Sequence, residues 1–86
     1  MPEISRFFGI VIAMFYNDHD PPHFHAVYGG KKGRFRIEPA GLLEGSLPPR
    51  VVGMIAEWTV LHQKELLENW ELARKQEALK RIEPLE

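Results

Sequence analysis

The sequence contains no cysteine. No disulfide can brace the fold, and no thiolate can bind a metal or attack a substrate. Long apolar runs are missing too. The longest, Phe7 to Tyr16, spans ten residues, against about 20 for a helix that crosses a bilayer. The opening M-P-E-I-S-R has no basic stretch leading into an apolar core, which predicts no signal peptide. Nor is there an excess of charge of one sign. Eleven basic and twelve acidic residues leave a net charge of −1, so no global field draws the chain to nucleic acid or to an anionic membrane. The expectation is a soluble, cytoplasmic protein with no membrane partner.

What is present suits a small globule. Eighty-six residues make one domain, 1–86, because separate cores need more chain. With 44% hydrophobic and 27% charged residues, the composition is that of a folded protein rather than a disordered one. The chain then divides into two styles. Up to about residue 38 it is aromatic and β-branched, broken by Gly, Pro, Asn and Asp. F-F-G-I-V-I-A-M-F-Y has the length and branching of a strand buried on both faces, with a kink at Gly9. H-F-H-A-V-Y reads as a second strand, G-G-K-K-G as a turn and R-F-R-I-E as a third. Connections this short imply an antiparallel meander.

From Pro48 the pattern becomes helical. Pro48 and Pro49 suit a first helical turn, and neither Gly nor Pro occurs from Met54 to Glu83 except Pro84 just beyond. At 100° per residue, Val51, Ile55, Trp58, Thr59, His62, Leu66, Trp70 and Ala73 share one broad face. Glu57, Lys64, Glu68, Glu71 and Lys75 share a narrow stripe opposite. The stripe keeps phase across His62, which predicts one helix over about 49–75. Such a helix would measure about 40 Å in a globule roughly 30 Å across, so it must bend near His62 or protrude. The tail 76–86 is a candidate fourth, edge strand ended by Pro84. The expected fold is α+β: an antiparallel meander of three strands, or four with the tail, one face covered by a long C-terminal amphipathic helix.

Chemistry concentrates in N-D-H-D-P-P-H-F-H, residues 17–25, which holds three of the four histidines. In the second strand His23 and His25 point one way, and Phe24 and Ala26 the other. In the third, Arg34 and Arg36 alternate with Phe35 and Ile37. The helix must cover the apolar set, so by elimination the open face carries His23 and His25 beside Arg34 and Arg36. An H-x-H spacing offers two metal ligands, and His19, Asp18 or Asp20 could add a third. The same three histidines, His19, His23 and His25, could instead serve as acid and base in a metal-free enzyme beside an anion-binding Arg34/Arg36 pair. The plain alternative is a solvated face next to a polar turn. No cofactor is required, although a divalent metal would fit. K-K-G-R-F-R is a weak nucleic-acid signal and reads equally well as a soluble hairpin. On the helix, Met54, Leu61 and Leu72 form a second apolar flank. They predict a contact with a second copy or with a small cognate protein.

The stretches "ISRFFGIVI", "NDHDPPHFH", "ELLENWELA" and "RIEPL" together resemble a family of small bacterial proteins, domain of unknown function 4160. Its motif falls on His19, Pro21, Pro22, His23, Phe24 and His25, and on Glu65, Leu66, Leu67, Asn69 and Trp70. The resemblance implies no known catalytic residues. It does imply a gene pairing with a second small protein of toxin–antitoxin type. The expected function is therefore an interaction module of such a pair, with a small hydrolase or ribonuclease using the histidine cluster as the alternative.

Overall fold

A computed structural model describes residues 2–86. Five strands precede two helices: β1 (Glu3–Phe7), β2 (Ile10–Ala13), β3 (His23–Tyr28), β4 (Lys31–Arg36), β5 (Gly41–Gly45), α1 (Pro49–Leu61) and α2 (Gln63–Arg74). The strands lie in sequence order in one antiparallel sheet. The α+β meander therefore stands, but the number of strands and the single long helix need correction.

The apolar run from Phe7 is a hairpin rather than one kinked strand. Phe8 and Gly9 both take positive φ, 49° and 79°, and Phe7 pairs with Ile10. Two such residues make the tight turn whose twist matches the flanking strands. The same geometry recurs at Gly29 and Gly30, so β4 begins at Lys31 and includes K-K-G. The additional strand β5 is G-L-L-E-G, which lacks the β-branched residues that mark a strand. Gly45 allows it. A Cβ there would collide with the Lys32 carbonyl oxygen, and its φ is +101°. Only glycine tolerates both.

The helix breaks at His62, where φ is −126°. Neither Gly nor Pro causes this. Thr59 turns its Oγ1 onto the Ile55 carbonyl at 2.6 Å, a back-bond that bends helices. Beyond the break the Gln63 amide donates to the Ile37 carbonyl at 3.0 Å, which aims α2 across the end of β4. Helices of 13 and 12 residues fit a body of 33 × 25 × 23 Å that a 40 Å rod would overrun.

The core forms where the sequence pattern puts it. Phe24, Phe35, Ile37, Ile55 and Trp58 are fully buried. Phe24 stacks on Phe35 at 5.6 Å, and the Trp58 ring meets Phe24 edge-on at 5.7 Å and Phe7 at 5.4 Å. Truncating a ring of this kind to alanine costs about 3–5 kcal/mol.

The tail is not a strand, although it occupies the position of one. Ile82 donates its N–H to the Ile4 carbonyl at 2.8 Å and is itself buried. Ile4 sits at the irregularity between Glu3 and Ser5, so its carbonyl turns outward from β2. Asn69 grips the Lys80 backbone, and the Trp58 indole N–H donates to the Glu83 carbonyl at 2.8 Å. Among the described residues no helix is long and apolar enough to cross a membrane.

Candidate metal centre

The strand register matches the sequence pattern: His23 faces Arg36 across the β3–β4 ladder, and His25 faces Arg34. The face is less open than elimination suggests. His23 is only 1% exposed, because α2, turned by the break at His62, brings the Trp70 ring to 5.3 Å from the imidazole. His25 is one-quarter exposed and rests edge-on against Phe15 at 4.5 Å.

One carboxylate joins the two histidines. Asp18 Oδ2 lies 3.1 Å from His23 Nε2 and 3.2 Å from His25 Nε2, and the three ligand atoms fall within 4.8 Å of one another. The loop 14–22 makes this possible. Asn17 takes a left-handed conformation, φ 62°, as Asn tolerates. Its side-chain oxygen accepts from the Gln76 amide at 3.1 Å. That contact ties the loop to the chain just beyond α2. His19, one residue past Asp18, is exposed and is not part of the cluster. Of the residues that could supply a third ligand, the structure brings Asp18 to the pair and leaves His19 and Asp20 outside. Sequence spacing offered all three and could not choose among them, because the choice lies in how the turn folds.

The second nitrogen of His23 decides the chemistry. Its Nδ1 lies 2.8 Å from the Pro21 carbonyl oxygen. A carbonyl only accepts, so Nδ1 carries a proton and Nε2 is the atom turned to Asp18. That atom is buried without a hydrogen-bond partner. In the neutral ring the Nε2 lone pair faces the carboxylate oxygen at 3.1 Å, and a metal ion between the two turns that repulsion into two ligand bonds. A backbone carbonyl on the far nitrogen is how metal-binding imidazoles are usually oriented. First-row divalent ions bind N and O at about 2.0–2.2 Å, which spaces neighbouring ligands roughly 2.9–3.5 Å apart. The two separations from Asp18, 3.1 and 3.2 Å, lie in that interval, and the two imidazole nitrogens are within 4.8 Å of each other, so one ion would draw the histidines together.

The arginines split. Arg34 donates from Nε to Glu44 Oε1 at 2.8 Å and lines a groove of about 270 Å³ with His25, Lys32, Gly33, Glu44 and Gly45. Arg36 lines a smaller hollow with Pro39 to Leu43, and its Nε is buried without a partner. The two side chains line separate hollows. Of the apolar flank, Met54 packs against the core and Leu72 is half-buried. Only Leu61 stands out, 64% exposed, with Val60 beside it at 61%. His62 is half-buried, against Trp58 and paired with Glu65 at 2.6 Å.

A family model described as a domain of unknown function (DUF4160) matches residues 9–71. The chain belongs to this family. The match takes in β2 to β5, α1 and most of α2. Asp18, His23, His25, the residues lining the groove and Trp70 all lie within it. Neither the curated proteins nor the solved structures contain a match.

Proposed function

We propose that this DUF4160 protein binds a divalent metal ion through Asp18, His23 and His25, and that it acts as a small metal-dependent hydrolase. The observation that carries the reading is the buried His23 Nε2, which has no hydrogen-bond partner and is aimed at the Asp18 carboxylate beside His25, with the Pro21 carbonyl on its far nitrogen. Two imidazoles and one carboxylate are a donor set for zinc, iron or manganese. An ion held by three protein groups keeps further positions for water or substrate, and zinc lowers the pKa of bound water to about 7. His25 is the ligand that opens onto the groove, which gives substrate a way in.

Elemental analysis of tag-free protein, equilibrated in turn with zinc, manganese and ferrous ions, tests this. One ion per chain is expected, lost in Asp18→Ala and His23→Ala and kept in His19→Ala. Asp18 is part-exposed, so its variant should keep the native circular dichroism. Substoichiometric metal in the wild type, or metal retained by Asp18→Ala, overturns the reading.

A second reading is favoured by Val60 and Leu61, neighbouring aliphatic residues left exposed at the end of α1. In that reading the chain is a bacterial cytoplasmic interaction module, one member of a toxin–antitoxin-like pair. Exposed side by side, these residues suit a second copy or a small cognate protein. Val60→Glu with Leu61→Glu should abolish association seen by light scattering and leave the melting temperature within about 2 °C. A wild type that stays monomeric and takes up no co-expressed neighbour removes this second reading.

A further inference from the structure

We propose that the groove beside His25 binds the phosphate group of a phosphate-ester substrate, with Arg34 and Lys32 as its cationic wall. The proposal rests on the metal reading for its second anchor and adds the substrate class to it.

The groove and the metal cluster share one residue, His25. Because β3 and β4 pair with His25 opposite Arg34 and Val27 opposite Lys32, alternate residues of both strands project to one side. Lys32 and Arg34 therefore stand in line beyond His25, on the side away from the core. The charges in the groove do not cancel. Two cations, Lys32 and Arg34, meet one carboxylate, Glu44. Glu44 takes only the Arg34 Nε–H, and a guanidinium has four further N–H donors in a planar fork. Those donors suit an oxyanion bound at two points. A divalent ion at the neighbouring cluster adds positive charge on the other side of His25. A ligand bridging the two must be anionic and must offer oxygens in more than one direction, as a tetrahedral phosphate does.

The rest of the lining narrows the class. Apart from the His25 imidazole, which rests edge-on against Phe15, no residue lining the groove is aromatic, so the groove offers no Phe, Tyr or Trp platform for a base. Gly33 and Gly45 contribute backbone to the floor, and Gly45 has no side chain to close it. Recognition falls on the phosphate rather than on the base it carries. A free nucleotide and a nucleic-acid strand offer the same chemistry here.

Inorganic phosphate, adenosine monophosphate, a short single-stranded DNA and acetate, each titrated by calorimetry into tag-free protein with and without bound metal ion, form the test. The three phosphates should bind and acetate should not, with binding tighter in the metal-loaded protein. Lys32→Ala/Arg34→Ala should weaken phosphate binding about tenfold or more, the scale of two lost charge-assisted contacts. Metal stoichiometry should not change. Glu44→Gln frees the guanidinium and should tighten binding. A merely structural Arg34–Glu44 pair predicts no such gain. The ratio of strand to nucleotide affinity identifies the source of the ester. No phosphate binding by the metal-loaded wild type, or equal affinity in the double variant, or acetate binding as tightly as phosphate, overturns the proposal. Should the wild type take up no metal, the metal reading fails alone. Arg34-dependent phosphate binding would then still support the groove, and its absence would overturn it.

Discussion

Asn69 and Lys80 close a two-way bridge. The Asn69 amide donates to the Lys80 carbonyl at 2.8 Å, and the Lys80 N–H donates to the Asn69 side-chain oxygen at 2.9 Å. A buried side chain thus copies the pairing that a neighbouring strand would make. It holds the tail where Ile82 can reach Ile4. Asn69→Ala leaves a part-buried carbonyl and N–H without partners, at about 1–3 kcal/mol. Urea denaturation should show a loss of that size. Limited trypsin digestion should cut after Arg81 sooner than in the wild type. A variant as stable and as resistant as the wild type would mean the tail is held by other contacts.

The same region gives a pH dependence with a definite sign. Glu3 accepts from Arg6 at 2.8 Å and from Arg81 at 3.0 Å. First the Arg6 bond and then the Arg81 bond hold its carboxyl below the ordinary 4.5. A depressed carboxyl stabilises the fold above its unfolded pKa, and that contribution disappears as pH falls through the lower folded value. The tail should therefore loosen on acidification below about pH 4.5. Arg81→Ala should lower the melting temperature at neutral pH and leave it little changed in acid, so that the acid limb of the profile flattens. An unchanged acid limb would remove Glu3 from the account.

Gly45 should tolerate no side chain. Gly45→Ala meets a positive φ and a clash with the Lys32 backbone, and both are costly. A loss of more than about 2 kcal/mol is expected from chemical denaturation. Gly29→Ala, at a turn with open space around the new methyl, should lose less. Equal losses at the two sites would mean that backbone conformation, not the collision, dominates.

How much of this was legible in the residues depends on whether local or distant atoms decide. The alternation of Phe24 with His23 and His25, and of Phe35 with Arg34 and Arg36, places both faces of the β3–β4 hairpin, because a strand's period is fixed by its backbone. The break at His62 has no such local sign. It depends on Thr59 choosing a carbonyl one turn back and on Gln63 finding Ile37, 26 residues away. The burial of His23 follows from that break and was hidden with it. β5 was invisible for a different reason: two glycines and two leucines carry little strand preference, and only the close approach of Gly45 to β4 explains the pairing. Asp18 and His19 were equal candidates on spacing. The left-handed turn at Asn17 and the Pro21 carbonyl, both set by the loop's path, distinguish them.

The meander has a kinetic corollary. Every strand pairs with its neighbour in sequence, so each sheet contact closes a short loop and loses little chain entropy. The Ile4–Ile82 contact is the opposite case, joining positions 78 residues apart. Such a closure is favourable only after the hairpins and helices have already drawn the chain together. The tail should then be absent from the transition state, and weakening it should raise the unfolding rate while refolding proceeds at its usual speed. The last segment to dock would be the first to leave, which makes it the latch on the lifetime of the native state rather than on its rate of formation.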